Sequence, residues 1–353
     1  MIYINGRFLL QTQTGVNRFA YELCKALSKL NVSFALLCPP GRIQPCYDVS
    51  DFKIQVCGWG KSHVWEQIAL PIYWNTIKGD KLLLNFTGLG PIAVKKKIMT
   101  IHDMGLWVTP EWYSKSYVAL YKLLTPLSAK TSLKVLTVSN FSKREIVRLL
   151  NISPNNIEIV YNAVPSFFNN KVKNENVQDG CSEKYILAVS SIDPRKNFER
   201  LVNAFSLLKN EDVKLYIVGG QNRIFNNKQN VNGTDTIKWL GRISDEDLKR
   251  YYQNALAFIY PSLYEGFGIP AIEAMALDCP VIASDIPVMH EVCGNAAFYI
   301  NPYSEKDIAQ GIKDVLLNEN LREQIQREAR KQLMSFSWEK SAKKLLSIIK
   351  NLY

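Results

Sequence analysis

The sequence predicts an α/β protein made of two doubly wound, Rossmann-like domains in tandem, and three observations carry that expectation. The chain has 353 residues, more than one hydrophobic core usually supports. Short apolar strand segments alternate with amphipathic helices, the pattern of a mostly parallel sheet with helices on both faces. The alternation is broken by the polar, aperiodic stretch SFFNNKVKNENVQDGCSE at 166–183 and then restarts. The expected layout is a first domain over 1–165, a linker over 166–183, a second domain over 184–335, and a C-terminal helix over 336–353 that crosses back to the first domain.

In chain order, MIYINGRF (1–8) reads as the first strand. TGVNRFAYELCKALSKL (14–30) follows as a helix, with Val16, Phe19, Ala20, Leu23, Leu27 and Leu30 at helical spacing. VSFALLC (32–38), KLLLNF (81–86), KKIMTIH (96–102), KVLTVS (134–139) and IEIVYNAV (157–164) read as strands. SKSYVALYKLLTPLSAK (114–130) and NFSKREIVRLL (140–150) read as helices. In the second half the alternation runs through KYILAVS (184–190), NFERLVNAFSLL (197–208), VKLYIVGG (213–220), TIKWLG (236–241), SDEDLKRYYQNA (244–255), LAFIYPS (256–262), PVIAS (280–284) and NAAFYI (295–300). GQNRIFNNKQNVNGTD (220–235) reads as a loop.

Composition narrows the class. Hydrophobic residues make up 47% and charged residues 21%, ordinary for a soluble globular chain. No apolar run approaches the ~18 residues of a membrane span, and MIYINGRFLL is too short and polar for a secretory leader. The seven cysteines are odd in number and form no C-x-x-C pair, which argues against a disulfide framework or zinc site and for reduced thiols in the cytoplasm. The net charge of +11 is unevenly placed: residues 1–165 hold 19 Lys/Arg against 9 Asp/Glu, a surplus of ten. Such a surplus suits a polyanionic partner, an anionic lipid surface above all, or simply a basic soluble surface. No helix-turn-helix, zinc-finger or ribonucleoprotein pattern supports nucleic acid as the partner.

In open parallel sheets, ligands bind beyond the carboxyl ends of the strands, so two such domains direct attention to the cleft between them. SLYEGFGIPAIEAMA (262–276) stands at one such strand end. Glu265 follows the strand, Gly266 and Gly268 let a ligand approach the backbone, and Pro270 suits the start of a helix. The opening amides of that helix suit a phosphate. Glu273, placed by this reading in the helix's first turn, has the chemistry to accept hydrogen bonds from a ribose diol, and Glu265 from a sugar. Taken singly, Glu273 is equally a complement to the helix dipole and Glu265 a solvated turn residue.

Taken together, Glu265, Gly266, Phe267, Gly268, Ile269 and Glu273 closely resemble the donor-site signature of the family-four retaining glycosyltransferases. The resemblance covers essentially the whole chain, through TGVNRFAYEL, TIHD, TVSNFSKREI, DPRKNFERL, WLGRISDEDL and FSWEKSAKKLL. It implies the GT-B fold, two Rossmann-like domains facing each other across a cleft, with the nucleotide sugar held by the second domain and the acceptor by the first.

Other loops gain meaning beside it. Arg195 and Lys196 follow the strand KYILAVS, and two cations there suit a departing diphosphate; in the family the Lys196 position binds donor phosphate. Many members carry an arginine where this chain has Ser191, so Arg195 is a candidate substitute. Gly15, ahead of the first helix, lies against the diphosphate in the family, and His102 contacts the donor sugar, with Asp103 orienting it or bracing its loop. Asn17 and Arg18 take no assigned role. His63 and His290 are read as structural. Asp245, Glu246 and Asp247 are read as a helix start behind Ser244, not as a metal site.

The resulting expectation is a retaining, metal-independent hexosyltransferase without a cofactor. It would move mannose or a similar sugar from a nucleotide-diphosphate donor, GDP-mannose ahead of a UDP-sugar, to a glycan or polyprenyl-diphosphate-linked acceptor. GVNRF, IHD, PEWYS and PRKN in sequence resemble bacterial polysaccharide and O-antigen mannosyl- and rhamnosyltransferases. The expected location is cytoplasmic, peripheral at the inner face of the plasma membrane. The rivals are a sugar-nucleotide epimerase on the same fold and a non-catalytic, degenerate transferase acting as a scaffold.

Overall fold

A computed structural model describes residues 1–169, 183–209, 212–220 and 234–352. Most of the stretch read as the linker, and most of the 220–235 loop, lie outside the described residues. The chain forms two compact units. One comprises Met1–Trp107, Ser116–Asn162 and Ser337–Tyr353; the other comprises Val108–Lys115 and Ala163–Phe336.

The first unit is built on a seven-stranded sheet: β1 (Ile2–Asn5), β2 (Phe34–Cys38), β3 (Ile54–Val56), β4 (Leu82–Asn85), β5 (Lys97–Thr100), β6 (Lys134–Thr137) and β7 (Ile157–Ile159), in spatial order β3-β2-β1-β4-β5-β6-β7. Every pairing is parallel. β2, β4 and β5 are buried along their whole length, as a sheet covered on both faces requires. Helix Gly15–Lys29 is capped by Thr14, whose hydroxyl accepts from the Asn17 amide, and buries Phe19, Ala20, Leu23 and Leu27. Helix Trp338–Lys350 belongs to this unit: Trp338 meets the Phe19 ring edge-on at 5.8 Å, and Ser341 Oγ donates to the Tyr161 carbonyl at 2.7 Å.

Three readings need correction here. The first strand ends at Asn5, not at Phe8, because the Asn5 side chain accepts from the Arg7 amide at 3.1 Å and turns the chain into a 3-10 helix, Gly6–Leu10. IEIVYNAV is strand only over Ile157–Ile159. Lys97, counted above in a basic surface, is fully buried: its ammonium donates to the Val94 carbonyl at 3.0 Å and Thr131 Oγ1 at 2.7 Å, and burial lowers its pKa to about 8. The edge strand β3 went unread, as did a helical segment over 62–76 whose middle, Trp65–Ala69, is a π-helical turn.

The second unit holds a six-stranded parallel sheet: β8 (Lys184–Val189), β9 (Val213–Val218), β10 (Ile237–Gly241), β11 (Ala257–Tyr260), β12 (Val281–Ser284) and β13 (Phe298–Ile300), in order β10-β9-β8-β11-β12-β13. Its core joins Ile186, Leu201, Leu215, Ile259, Ile282 and Ile312. Ser244 caps helix Asp245–Asn254 by accepting from the Asp247 amide at 3.0 Å and donating to the Asp247 carboxylate at 2.8 Å. Among the described residues, six cysteines are free thiols, and no helix is long and apolar enough to cross a membrane.

Candidate active site

The strand order of the second sheet reverses between β8 and β11, which lie side by side. At such a reversal the loops leaving the two strands diverge and open a crevice at their carboxyl ends. The loop after β8 carries Ser191, Asp193, Arg195 and Lys196; the loop after β11 carries Glu265 to Gly268. The two loops are joined by the amide of Leu263, which donates to the Arg195 carbonyl at 2.7 Å.

Lys196 and Glu265 meet in this crevice. The Lys196 ammonium donates to Glu265 Oε1 at 2.5 Å and to the Tyr260 hydroxyl at 3.1 Å, and the two charged side chains are only 8% and 9% exposed. An ammonium has three hydrogens, so one remains for a further acceptor. Burial alone would raise the Glu265 carboxyl, but Lys196 and Arg195 outweigh it and hold the carboxyl below its ordinary value. The Glu265 carboxylate is therefore ionised at neutral pH.

Arg195 is tethered rather than loose. Asp193, wholly buried, accepts from the Arg195 amide and from its Nε, both at 3.1 Å. Ser191 Oγ donates to the other Asp193 oxygen at 2.8 Å. The residue standing where the family often has arginine thus braces the carboxylate that holds Arg195. The Arg195 guanidinium also lies 5.8 Å from the Tyr113 ring centre.

Gly268 begins helix Ile269–Ala276 with φ of +100°, a conformation open to glycine at little strain. No side chain caps that helix start. Pro270 is its second residue and Glu273 its fifth, so Glu273 lies in the second turn and not the first; dipole complementation does not account for it. Glu273 is instead buried, and Oε2 accepts from the Tyr252 hydroxyl at 3.2 Å. Burial and the Glu273 charge both raise the Tyr252 pKa, keeping that hydroxyl a donor. Gly266 is buried in the same loop and Ile269 half-buried. Phe267 packs edge-on against Phe336 at 5.3 Å, so any ligand contact it makes falls to its backbone.

The remaining two predicted residues belong to the first unit. His102 follows β5, and its Nε2 donates to the Phe86 carbonyl at 2.8 Å, which fixes the proton on that nitrogen. Burial lowers the His102 pKa against the opposing effects of Phe86 and Asp103, so the ring is neutral at pH 7. Phe19, from helix Gly15–Lys29, meets it edge-on at 5.0 Å. Asp103 braces the loop by accepting from the Gly105 amide at 2.9 Å. Gly15 is the exposed first residue of its helix and has no left-handed backbone, so its own conformation does not demand glycine. Asn17 and Arg18 hold the preceding loop, through Thr12 O at 3.0 Å and Gln13 Oε1 at 3.0 Å. His290 pairs with Asp285 at 2.6 Å on an exposed face.

Sequence reasoning missed the supporting residues Asp193, Tyr252 and Tyr260. Asp193 had a local signal, an aspartate before proline at a turn; the tyrosines had none, because their partners are 21 and 64 or more positions away.

Comparison with known proteins supplies the lineage. Residues 13–166 match the model described as Glycosyltransferase Family 4, and residues 170–332 match that of Glycosyl transferases group 1. The chain is 34% identical over 259 residues to O-antigen chain mannosyltransferase RfbU of Salmonella typhimurium, covering 69% of each. It is 30% identical to O-antigen chain mannosyltransferase B of Escherichia coli, covering 74% of this chain and 72% of that protein. Among solved structures, sucrose-phosphate synthase from Thermosynechococcus elongatus superposes with a TM-score of 0.74 at 17% identity, covering 99% of this chain and 98% of that one, a likeness of fold. Two parallel α/β units of the GT-B type, with these family matches over 13–166 and 170–332 and a relative 34% identical, make the chain a glycosyltransferase of family 4.

Proposed function

We propose that the chain transfers mannose from GDP-mannose, with retention at the anomeric carbon, to a glycan or polyprenyl-diphosphate-linked acceptor in surface-polysaccharide synthesis. The observation that carries this reading is the buried Lys196–Glu265 pair at the β8/β11 switch point, with Glu265 on the loop that ends at the left-handed Gly268. The choice of mannose is supported by the O-antigen mannosyltransferases that the chain is similar to.

In this reading the third hydrogen of Lys196, with Arg195 and the uncapped amides near Gly268, stabilises charge on the departing diphosphate. Glu273 holds the ribose diol, and Glu265 fixes Lys196 while facing the sugar. The acceptor hydroxyl attacks from the face the phosphate leaves, and its proton goes to that phosphate, so no glycosidase-type nucleophile is needed. Contact of His102 and Gly15 with the donor is proposed on family likeness. Titration of a panel of nucleotide sugars tests the donor assignment. GDP-mannose should bind most tightly and turn over undiminished in EDTA; an absolute need for manganese or magnesium would overturn the metal-free reading.

We place the protein in the cytoplasm, peripheral at an anionic membrane face. Helix Lys115–Lys130 supports this: Leu123 and Leu127 are 63% and 45% exposed, and Lys122 and Lys130 are exposed beside them. Near an anionic surface each such lysine contributes about 1 kcal/mol. The protein should sediment with vesicles containing anionic lipid, less so as salt rises through physiological strength. Equal recovery with neutral and anionic vesicles, or none with either at low salt, would contradict it.

A further inference from the structure

The first sheet has a reversal of its own, between β1 and β4, and the rule that directs ligands to the second unit's reversal applies equally here. β1 and β4 end at Asn5 and Asn85, the 3-10 helix leaving β1 carries Arg7, the loop leaving β4 carries Gly88, and the π-helical turn Trp65–Ala69 brings Glu66 to them. π-turns inside helices recur at functional sites. We propose that Arg7, Glu66 and His63 form a subsite at the β1/β4 switch point that binds hydroxyls of the acceptor's terminal sugar.

Glu66 has no exposed surface and Arg7 is 5% exposed. Asn5 Nδ2 donates to Glu66 Oε1 at 2.9 Å and to Asn85 Oδ1 at 2.6 Å, while Asn85 Nδ2 donates to the Thr87 carbonyl at 2.8 Å. One carboxylate oxygen is thus fixed by a network. The other, Oε2, has no hydrogen-bond partner among the described residues, and neither have Arg7 Nε and His63 Nδ1. Arg7 Nη2 and His63 Nδ1 each stop 3.6 Å from Oε2. Buried donors and acceptors are almost always paired, so an oxygen without a hydrogen bond, flanked by two side chains that each keep an unused buried nitrogen, calls for a ligand atom. The His63 side chain, 30% exposed and set edge-on to Tyr121 at 5.7 Å, connects the group to the surface. Gly88, with φ of +72°, lies against the guanidinium; a Cβ there would come within 2.4 Å of Arg7 Nη2.

The charges decide the ligand class. The Arg7 and Glu66 charges cancel, and a carboxylate oxygen left without a hydrogen bond repels phosphate. A hydroxyl both donates and accepts, so it satisfies Glu66 Oε2 and Arg7 together. The same loop links the subsite to His102, whose Nε2 donates to the carbonyl of Phe86, next to Asn85. The assignment to an acceptor sugar rests on the transferase reading above.

The test is ligand-observed saturation-transfer NMR with the methyl glycosides of mannose, galactose, rhamnose and N-acetylglucosamine, each with and without GDP. Glu66→Gln and His63→Phe are compared with the wild type. The second variant keeps an aromatic ring against Tyr121 and removes only the nitrogens, and melting curves confirm that each is folded. At least one glycoside should bind, its affinity falling roughly tenfold in each folded variant. GDP affinity should stay unchanged, and excess pyrophosphate should not displace the sugar. Wild-type glycoside binding in folded His63→Phe, displacement by pyrophosphate, or no glycoside binding at all would overturn the subsite. Absence of GDP binding alone would count against the donor reading and leave the glycoside result to be judged by itself.

Discussion

Lys196→Ala is expected to lower turnover by about 10²–10³-fold while changing donor affinity much less, the signature of a lost donor to developing charge. The ammonium is held in place by Glu265 and Tyr260 with one hydrogen to spare, so it needs no rearrangement as the diphosphate leaves. The substitution also strands Glu265 in a site where it is 9% exposed. Losing one member of a buried pair costs about 3–5 kcal/mol, and that loss must be separated from the chemistry. The double variant Lys196→Ala/Glu265→Gln removes the stranded charge: its melting temperature should recover, its turnover should not. The linkage has a definite sign. Because the folded Glu265 carboxyl lies below its ordinary value, the pair's contribution to stability is full above the unfolded carboxyl pKa. It is lost as pH falls through the lower, folded value, so assays at neutral pH compare intact pairs. Turnover that recovers together with stability would assign Lys196 a structural role only.

Glu273→Gln is expected to weaken GDP binding by about 1–3 kcal/mol, roughly 5- to 150-fold in Kd. Glutamine keeps an oxygen for the Tyr252 hydroxyl, so the fold should hold, while the charge that would grip a ribose diol is lost. The position of Glu273 in the second turn makes this test sharper than a first-turn placement would. An acid there has little to gain from the helix dipole, so an effect on GDP is not a disguised capping effect. Tyr252→Phe should lower GDP affinity by less, since it loosens the carboxylate without removing it. A lower melting temperature with unchanged Kd for GDP, by calorimetry, would mark the Glu273–Tyr252 contact as packing.

The strands that carry the sites were legible because fully buried parallel strands are short apolar runs, and LLLN, KIMT, AFIY and VIAS stand out against their surroundings. The edge strand Ile54–Val56 did not stand out, being three residues long and only partly buried. Helix 62–76 was hidden for a different reason: Pro71 interrupts it, and Val64, Ile68 and Ile72 face outward, 49%, 48% and 57% exposed, so its apolar residues do not mark its buried side. The placement of Glu265 and Lys196 was legible from the strand ends they follow, and Glu273 was singled out by the family pattern alone. Their partners were not: Tyr252 and Tyr260 reach Glu273 and Lys196 through contacts set by the folded chain. Lys97 misled, because a count of lysines gives no sign that this ammonium is capped by Val94 and Thr131.

The most direct measurement is transfer of radiolabelled mannose from GDP-mannose into a solvent-extractable, lipid-linked product by the purified protein in EDTA, beside the Lys196→Ala/Glu265→Gln variant. Label should move to the lipid fraction with the wild type, in the same anomeric configuration as the donor, and should remain on the nucleotide with the variant. Inversion of the product, or equal transfer by wild type and variant, would contradict the assignment of the β8/β11 crevice as the place where the sugar is released.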